Sequence, residues 1–188
     1  PYSGISTNKG EWITQLIEDY KYVDGEHFGE RKHWLQDDYV KFIRYGEHFV
    51  EKNGSGVLAF INNHSFIDNP TFRGMRWHLL RTFDKLYVLD LHGNSKKKEK
   101  SPDGASDENV FDIQQGVAIT LLVKTGKKKR EALGAIHRVD LWGEREKKNA
   151  ALLKRTLNST KFERIKPDAP FFFFSAKSNE GRVEYDAG

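Results

Sequence analysis

Two short apolar runs decide how this chain folds: GVLAFI at residues 56–61 and LYVLDL at residues 86–91. Both are continuous rather than alternating, which is the pattern of strands buried on both faces of a sheet. Between them lies NNHSFIDNPTFRGMRWHLLRTFDK, residues 62–85. Asn69 can cap a helix there and Pro70 can open it, since the missing N–H of proline is harmless in a first turn. That helix buries Phe72, Met75, Leu79, Leu80 and Phe83. Strand, helix and strand of these lengths predict a right-handed crossover with parallel strands.

Upstream, residues 10–20 (GEWITQLIEDY) put Trp12, Ile13, Leu16, Ile17 and Tyr20 on one helical stripe. Residues 21–36 are polar and read as a surface loop. Asp37 and Asp38 offer N-caps to a second helix reaching about Lys52, with the stripe Tyr39, Phe42, Ile43, Phe49 and Val50, and Asn53-Gly54 ends it. Downstream, residues 92–112 form a polar loop, and loops of that length are usually functional or disordered. GVAITLLVK at 116–124 comes next with no helix before it and is expected to pair antiparallel with a neighbour. A turn at KKKR (127–130), a strand over 134–142, a charged helix over about 144–157 and a docked PFFFF segment (170–174) complete the chain. The fold class is α/β: an open sheet of parallel strands with one late antiparallel strand.

The totals agree with one domain. The chain has 188 residues, of which 37% are hydrophobic and 13% aromatic, enough to bury a core. No apolar run approaches the roughly 18 residues of a membrane span. There is no cysteine, which excludes disulfides and thiolate metal sites and fits the expected cytoplasmic location. The net charge of +4 favours a polyanionic partner weakly. The only methionine is Met75, so the chain reads as a piece of a longer one.

PYS at residues 1–3 resembles the tail of the Asn-Pro-Pro-Tyr tetrapeptide of amino-methyltransferases that act on adenine in DNA. The stretch from FINNHSFIDNPTFRG through DIQQGVAITLLVK (60–124) resembles the methylase part of large single-chain restriction–modification enzymes, the fused type IIG and type ISP kind. VDLWGEREKKNAALL (139–153) resembles the next stretch of that family. The likeness covers about residues 1–175 and is most specific over 57–124. It implies the carboxyl-terminal half of a Rossmann-like methyltransferase sheet. Residues 1–125 would be a partial catalytic domain that starts inside the tetrapeptide, and 126–188 an extension packing on it or leading to the next domain.

The resemblance also implies an activity: methyl transfer from S-adenosylmethionine to the N6 of an adenine flipped out of double-stranded DNA. The family's Asn and first Pro carbonyl accept hydrogen bonds from the amine and direct its lone pair at the methyl group. By position Pro1 is the second proline of the tetrapeptide, Tyr2 the ring that stacks on the base, and Ser3 its substrate-side neighbour. The Asn, the first Pro and the glycine-rich motif for the methyl donor are not in this sequence, which predicts that the chain alone is inactive. Asn62, Asn63 and Ser65 would stand on the rim of the base or DNA pocket, and Phe111 would meet the other face of the adenine. Without the resemblance, Tyr2 is a terminal aromatic, the Asn-Asn-His-Ser cluster caps a strand end, and Phe111 anchors a loop in the core.

Arg73, Arg76, Lys96, Lys97 and Lys98 are candidate contacts to the DNA backbone, against the plainer reading of solvated charge. The seven histidines show no ligand spacing with a carboxylate partner, so no metal is expected. Two other functions fit: an RNA or protein amide methyltransferase, and a non-catalytic nucleic-acid-binding module. The strand ending at the tetrapeptide should neighbour GVLAFI. Without it an unpaired apolar edge predicts self-association.

Overall fold

The computed structural model describes residues 4–7, 10–29 and 33–176. Pro1, Tyr2 and Ser3 lie outside the described residues.

The two apolar runs form β3 (Gly56–Asn63) and β4 (Lys85–Asp90), and the third forms β5 (Val117–Lys124). They join β6 (Ala135–Asp140) and β7 (Glu163–Ile165) in a five-stranded sheet of order β3-β5-β4-β6-β7. β3 and β4 are each antiparallel to β5, hence parallel to one another, and β4 is parallel to β6. The crossover therefore has the expected strand directions, but β5 is inserted between its two strands. The sheet also has a second antiparallel strand, β7, which pairs with β6 over three residues. Its sequence, ERI, is too short to carry an alternation signal. The extension expected from residue 126 docks by adding β6 and β7 to this same sheet.

Three helices cover one face: α1 (Glu11–Glu18), α2 (Asp38–Asn53) and α3 (Arg73–Thr82), with α4 (Arg145–Lys154) on the other. Asp37 caps α2 through the Tyr39 amide, and Gly54 ends it with a left-handed φ of 77°. Asn69 accepts from the Thr71 amide and Pro70 begins the turn into α3, as the sequence predicts. Phe72, Met75, Leu79, Leu80 and Phe83 are all buried.

The stripe of α2 differs from expectation. Tyr39, Val40, Ile43, Glu47 and Val50 are buried, while Phe42 and Phe49 are 49% and 40% exposed. Those two rings join Trp12 and Tyr45 on an outer aromatic surface, with Phe42 stacked on Phe60 of β3. The burial of Glu47 takes the place of an apolar side chain; its carboxylate accepts from Tyr20 Oη at 2.8 Å. The 21–36 segment is more ordered than a plain loop. It folds as a small hairpin of β1 (Tyr22–Val23) and β2 (Glu26–His27), and a 3₁₀ turn at His33–Gln36 buries Leu35. Of the PFFFF segment, Phe172 and Phe174 enter the core.

Arg76 is a correction. Expected against DNA, it is fully buried and is the largest such side chain. Its guanidinium donates to the carbonyls of Phe66 (2.6 Å), Asn69 (2.8 Å) and Phe171 (2.7 and 2.9 Å), stapling the aromatic segment to α3. Enclosed in this way, it is out of reach of a phosphate. Arg73 is sandwiched between the rings of Phe28 and Phe171, 4.5 and 5.2 Å from their centroids.

Candidate functional site

In open α/β sheets ligands bind beyond the carboxyl ends of the parallel strands. At the carboxyl end of β3 a cavity of about 320 Å³ opens between Trp34, Asp37, Tyr39, Asn63, Asn69 and Gln115, with Ser65 and Phe72 completing its wall. That volume falls at the lower end of small-molecule pockets. Asn63 ends β3 and bonds its Oδ1 to the Ser65 amide at 2.8 Å, so the amide group that turns the chain also faces the cavity. Trp34 is 55% exposed and gives the cavity a wide aromatic rim. Tyr39 is 1% exposed, and its hydroxyl has no hydrogen-bond partner. Burial pushes that phenol well above its ordinary pKa, so it stays a neutral donor.

Asp37 links this cavity to the start of the chain. Its Oδ1 accepts from the Gly4 amide at 3.0 Å, and the Gly4 carbonyl accepts from the Asp38 amide at 2.8 Å. Gly4 comes directly after Pro1-Tyr2-Ser3 in the sequence. Burial raises the Asp37 carboxyl, with the amides of Gly4 and Tyr39 opposing it.

Of the other expected residues, Asn62 is 1% exposed and donates to the Asn63 carbonyl, away from the cavity lining. Its pairing opposite Ala118 fixes it as part of the sheet. Phe111 is 45% exposed, and it lines a different cleft, among Asp107, Glu108, Asp112, Glu144 and Arg145. The acidic groups there are unsuited to a phosphate backbone. Lys96, Lys97 and Lys98 are exposed on the turn after β4, at the same end of the sheet as the cavity. Sequence reasoning missed Trp34, Tyr39 and Gln115. The exposed Trp in a polar loop was the one available signal.

A second constellation lies at the carboxyl ends of β3, β4 and β6. His64 Nδ1 stands 3.0 Å from Asp90 Oδ1. His92 Nδ1 stands 3.0 Å from Glu99 Oε1, and its Nε2 2.7 Å from Asp140 Oδ1. Arg138 bridges Asp90 and Asp140 at 2.9 and 2.6 Å. His92 stacks on Trp142 with ring centroids 3.3 Å apart. Burial works against an imidazolium at His92, but its bonds to Asp140 and Glu99 outweigh this and lift its pKa to about 9. Burial likewise opposes the charge of Asp90, and His64, His92 and Arg138 reverse that and hold its carboxyl low. Two overlapping sets, His64-His92-Glu99 and Asp90-His92-Asp140, each gather potential metal-ligating atoms within 4.8 Å. Asp90, His92 and Glu99 are near one another in sequence, but only the fold brings His64 and Asp140 to them. Among the described residues no helix is long and apolar enough to cross a membrane.

No family model matches the chain, and no curated protein does. Solved structures do. One is the ATP-dependent Type ISP restriction-modification enzyme LlaBIII bound to DNA, at 29% identity and a TM-score of 0.76, covering 94% of this chain and 12% of that one. Another is the cryo-EM DrdV–DNA complex, at 29% identity and a TM-score of 0.69, covering 84% and 15%. A nuclease-deletion mutant of the Type ISP restriction-modification enzyme LlaGI, in complex with a DNA substrate mimic, shares the fold at 24% identity and a TM-score of 0.69, covering 90% and 14%. The chain spans 12–15% of the length of these structures, which gives it the fold of one part of a much larger polypeptide.

Proposed function

We propose that this chain is the carboxyl-terminal half of a Rossmann-like catalytic domain in a restriction–modification enzyme, and that the longer protein methylates N6 of adenine in duplex DNA. One observation carries the reading: the cavity at the carboxyl end of β3 gathers Asn63 and Ser65 with Asp37, the residue that anchors Gly4 behind Pro1-Tyr2-Ser3. Likeness to a Type ISP restriction-modification enzyme bound to DNA and to the DrdV–DNA complex supports the partner.

In this reading a flipped adenine enters the cavity past Trp34. Tyr2 stacks on the base, a contact worth about 1–3 kcal/mol. Asn63, Ser65 and Gln115 supply hydrogen-bonding groups for its edge. Lys96, Lys97 and Lys98 steer the phosphates at the same end of the sheet. S-adenosylmethionine would bring the electrophilic methyl group. The described residues give it no cradle: β3 turns through Asn63-His64-Ser65, not through a glycine-rich loop. Its site, with the Asn and first Pro that grip the amine, belongs to the longer polypeptide.

The test uses that longer polypeptide with isotope-labelled S-adenosylmethionine and, separately, duplex DNA, RNA and total protein. Nucleoside and amino-acid mass spectrometry should find label in N6-methyladenine from DNA and lose it in Tyr2→Ala. Label confined to RNA or to protein amides, or absent everywhere, contradicts the proposal.

A further inference from the structure

We infer that His64, His92 and Glu99 form a binding site for one divalent first-row transition-metal ion, of which zinc is the best fit. A tetrahedral zinc with ligand bonds of about 2.0–2.1 Å separates its ligand atoms by about 3.3 Å. Here one atom each of His64, His92 and Glu99 lies within 4.8 Å of the other two, and the His92 Nδ1–Glu99 Oε1 edge is 3.0 Å, close to the tetrahedral value. Asp90 Oδ1 stands 3.0 Å from His64 Nδ1 and accepts from the His92 amide at 3.1 Å, so it braces both histidines from beside the site.

The far side of two of the three ligands is already engaged. Glu99 Oε2 takes the Asn94 amide at 2.9 Å, and His92 Nε2 meets Asp140 at 2.7 Å. This leaves Oε1 and Nδ1 to converge with His64. A histidine held by a carboxylate on its other nitrogen is the usual support of a metal ligand. The rings are fixed as well. Trp142 stacks on His92, whose backbone adopts a left-handed φ of 52°, and a Cβ on Gly116 would run into the His64 ring. A non-glycine residue in that conformation stores strain, which collects at functional sites.

Charge points the same way. Once an ion has displaced the His92 proton, the carboxylates of Asp90, Glu99 and Asp140 against the Arg138 guanidinium leave two negative charges, which a divalent ion cancels. Two imidazoles among three ligands favour zinc and its transition-metal neighbours over magnesium or calcium. Three protein ligands leave a fourth position to water. The ion displaces the proton shared by His92 with Glu99. It ties the ends of β3 and β4 to the 92–116 loop, which ends beside Gln115 of the cavity. This inference is independent of the methyltransferase reading.

The test uses the tag-free chain after chelator treatment, with zinc and cobalt(II) as the probes. About one zinc per chain should survive desalting, and cobalt should give the strong visible absorption of a tetrahedral ion. Glu99→Gln and His64→Asn, checked for folding by circular dichroism, should each weaken zinc binding at least about tenfold, and His33→Asn should not. Zinc lost on desalting, cobalt spectra of the hydrated octahedral ion, or binding unchanged in both ligand variants overturns the inference.

Discussion

Arg76→Leu should destabilise the fold severely without changing how the protein meets nucleic acid. The side chain is fully buried, and its hydrogen-bond acceptors are the carbonyls of Phe66, Asn69 and Phe171. Phe171 is half-buried, and its carbonyl can turn to water once released. Phe66 is buried and Asn69 half-buried, both in short turns that fix the direction of their carbonyls. Each buried acceptor left unpaired costs about 1–3 kcal/mol. The Asn69 carbonyl keeps the Phe72 amide at 3.1 Å, so one buried acceptor, that of Phe66, is left unpaired at a cost of about 2 kcal/mol, and leucine restores little of the lost volume. For a domain of this size that lowers Tm by about 4–8 °C. Urea unfolding followed by circular dichroism measures the loss directly. A cost below about 1 kcal/mol would refute the staple. So would a folded variant whose DNA affinity has a shallower salt dependence than wild type, since that would return Arg76 to the phosphate-contact role.

Glu47 gives a prediction about pH. Burial lifts its pKa from 4.5 to about 7, against the pull of Arg44, so the native state holds a proton that the unfolded chain has lost. Its contribution is complete below pH 4.5 and disappears as pH rises through about 7, amounting to about 3 kcal/mol at most. Glu47→Gln should flatten unfolding free energy over that window, and an unchanged pH profile in the variant contradicts the assignment. At the sheet edge, Val57 of β3 is 64% exposed beside Ile61 at 39%. We expect the chain to self-associate there at high concentration by light scattering and Val57→Lys to return it to monomer; a wild-type monomer under the same conditions refutes the interface.

What could be read in the sequence was local. Continuous apolar runs located β3, β4 and β5, and Asn69-Pro70 located the start of α3, because these signals depend on neighbouring residues alone; burial on both faces did not hold for β3, which alternates and leaves Val57 and Ile61 exposed at the sheet edge. The insertion of β5 between β3 and β4 was not legible, since pairing partners are chosen over long range. Phe42 and Phe49 fit the helical period as well as Val40 and Glu47 do. Only tertiary packing decides which side of α2 faces the sheet. In sequence Arg76 looks like any exposed arginine in a first turn. Its burial depends on three carbonyls, one of them 95 residues away. The candidate cavity was half visible: Asn63 and Ser65 come after a strand end, whereas Trp34 and Tyr39 arrive from another part of the chain. The histidine–carboxylate cluster was half visible too: Asp90, His92 and Glu99 are close in sequence, whereas His64 and Asp140 reach them only in the fold.

The activity proposed for the longer polypeptide rests on one event, the entry of a base drawn out of duplex DNA into the cavity at the end of β3. A cryo-EM structure of that polypeptide on its DNA site is the decisive experiment. It should show an extrahelical adenine in the cavity, with Tyr2 on its face and Asn63, Ser65 and Gln115 at its edge. A duplex with every base stacked in a catalytically competent complex, or an extruded base in the acidic cleft beside Phe111, would contradict it.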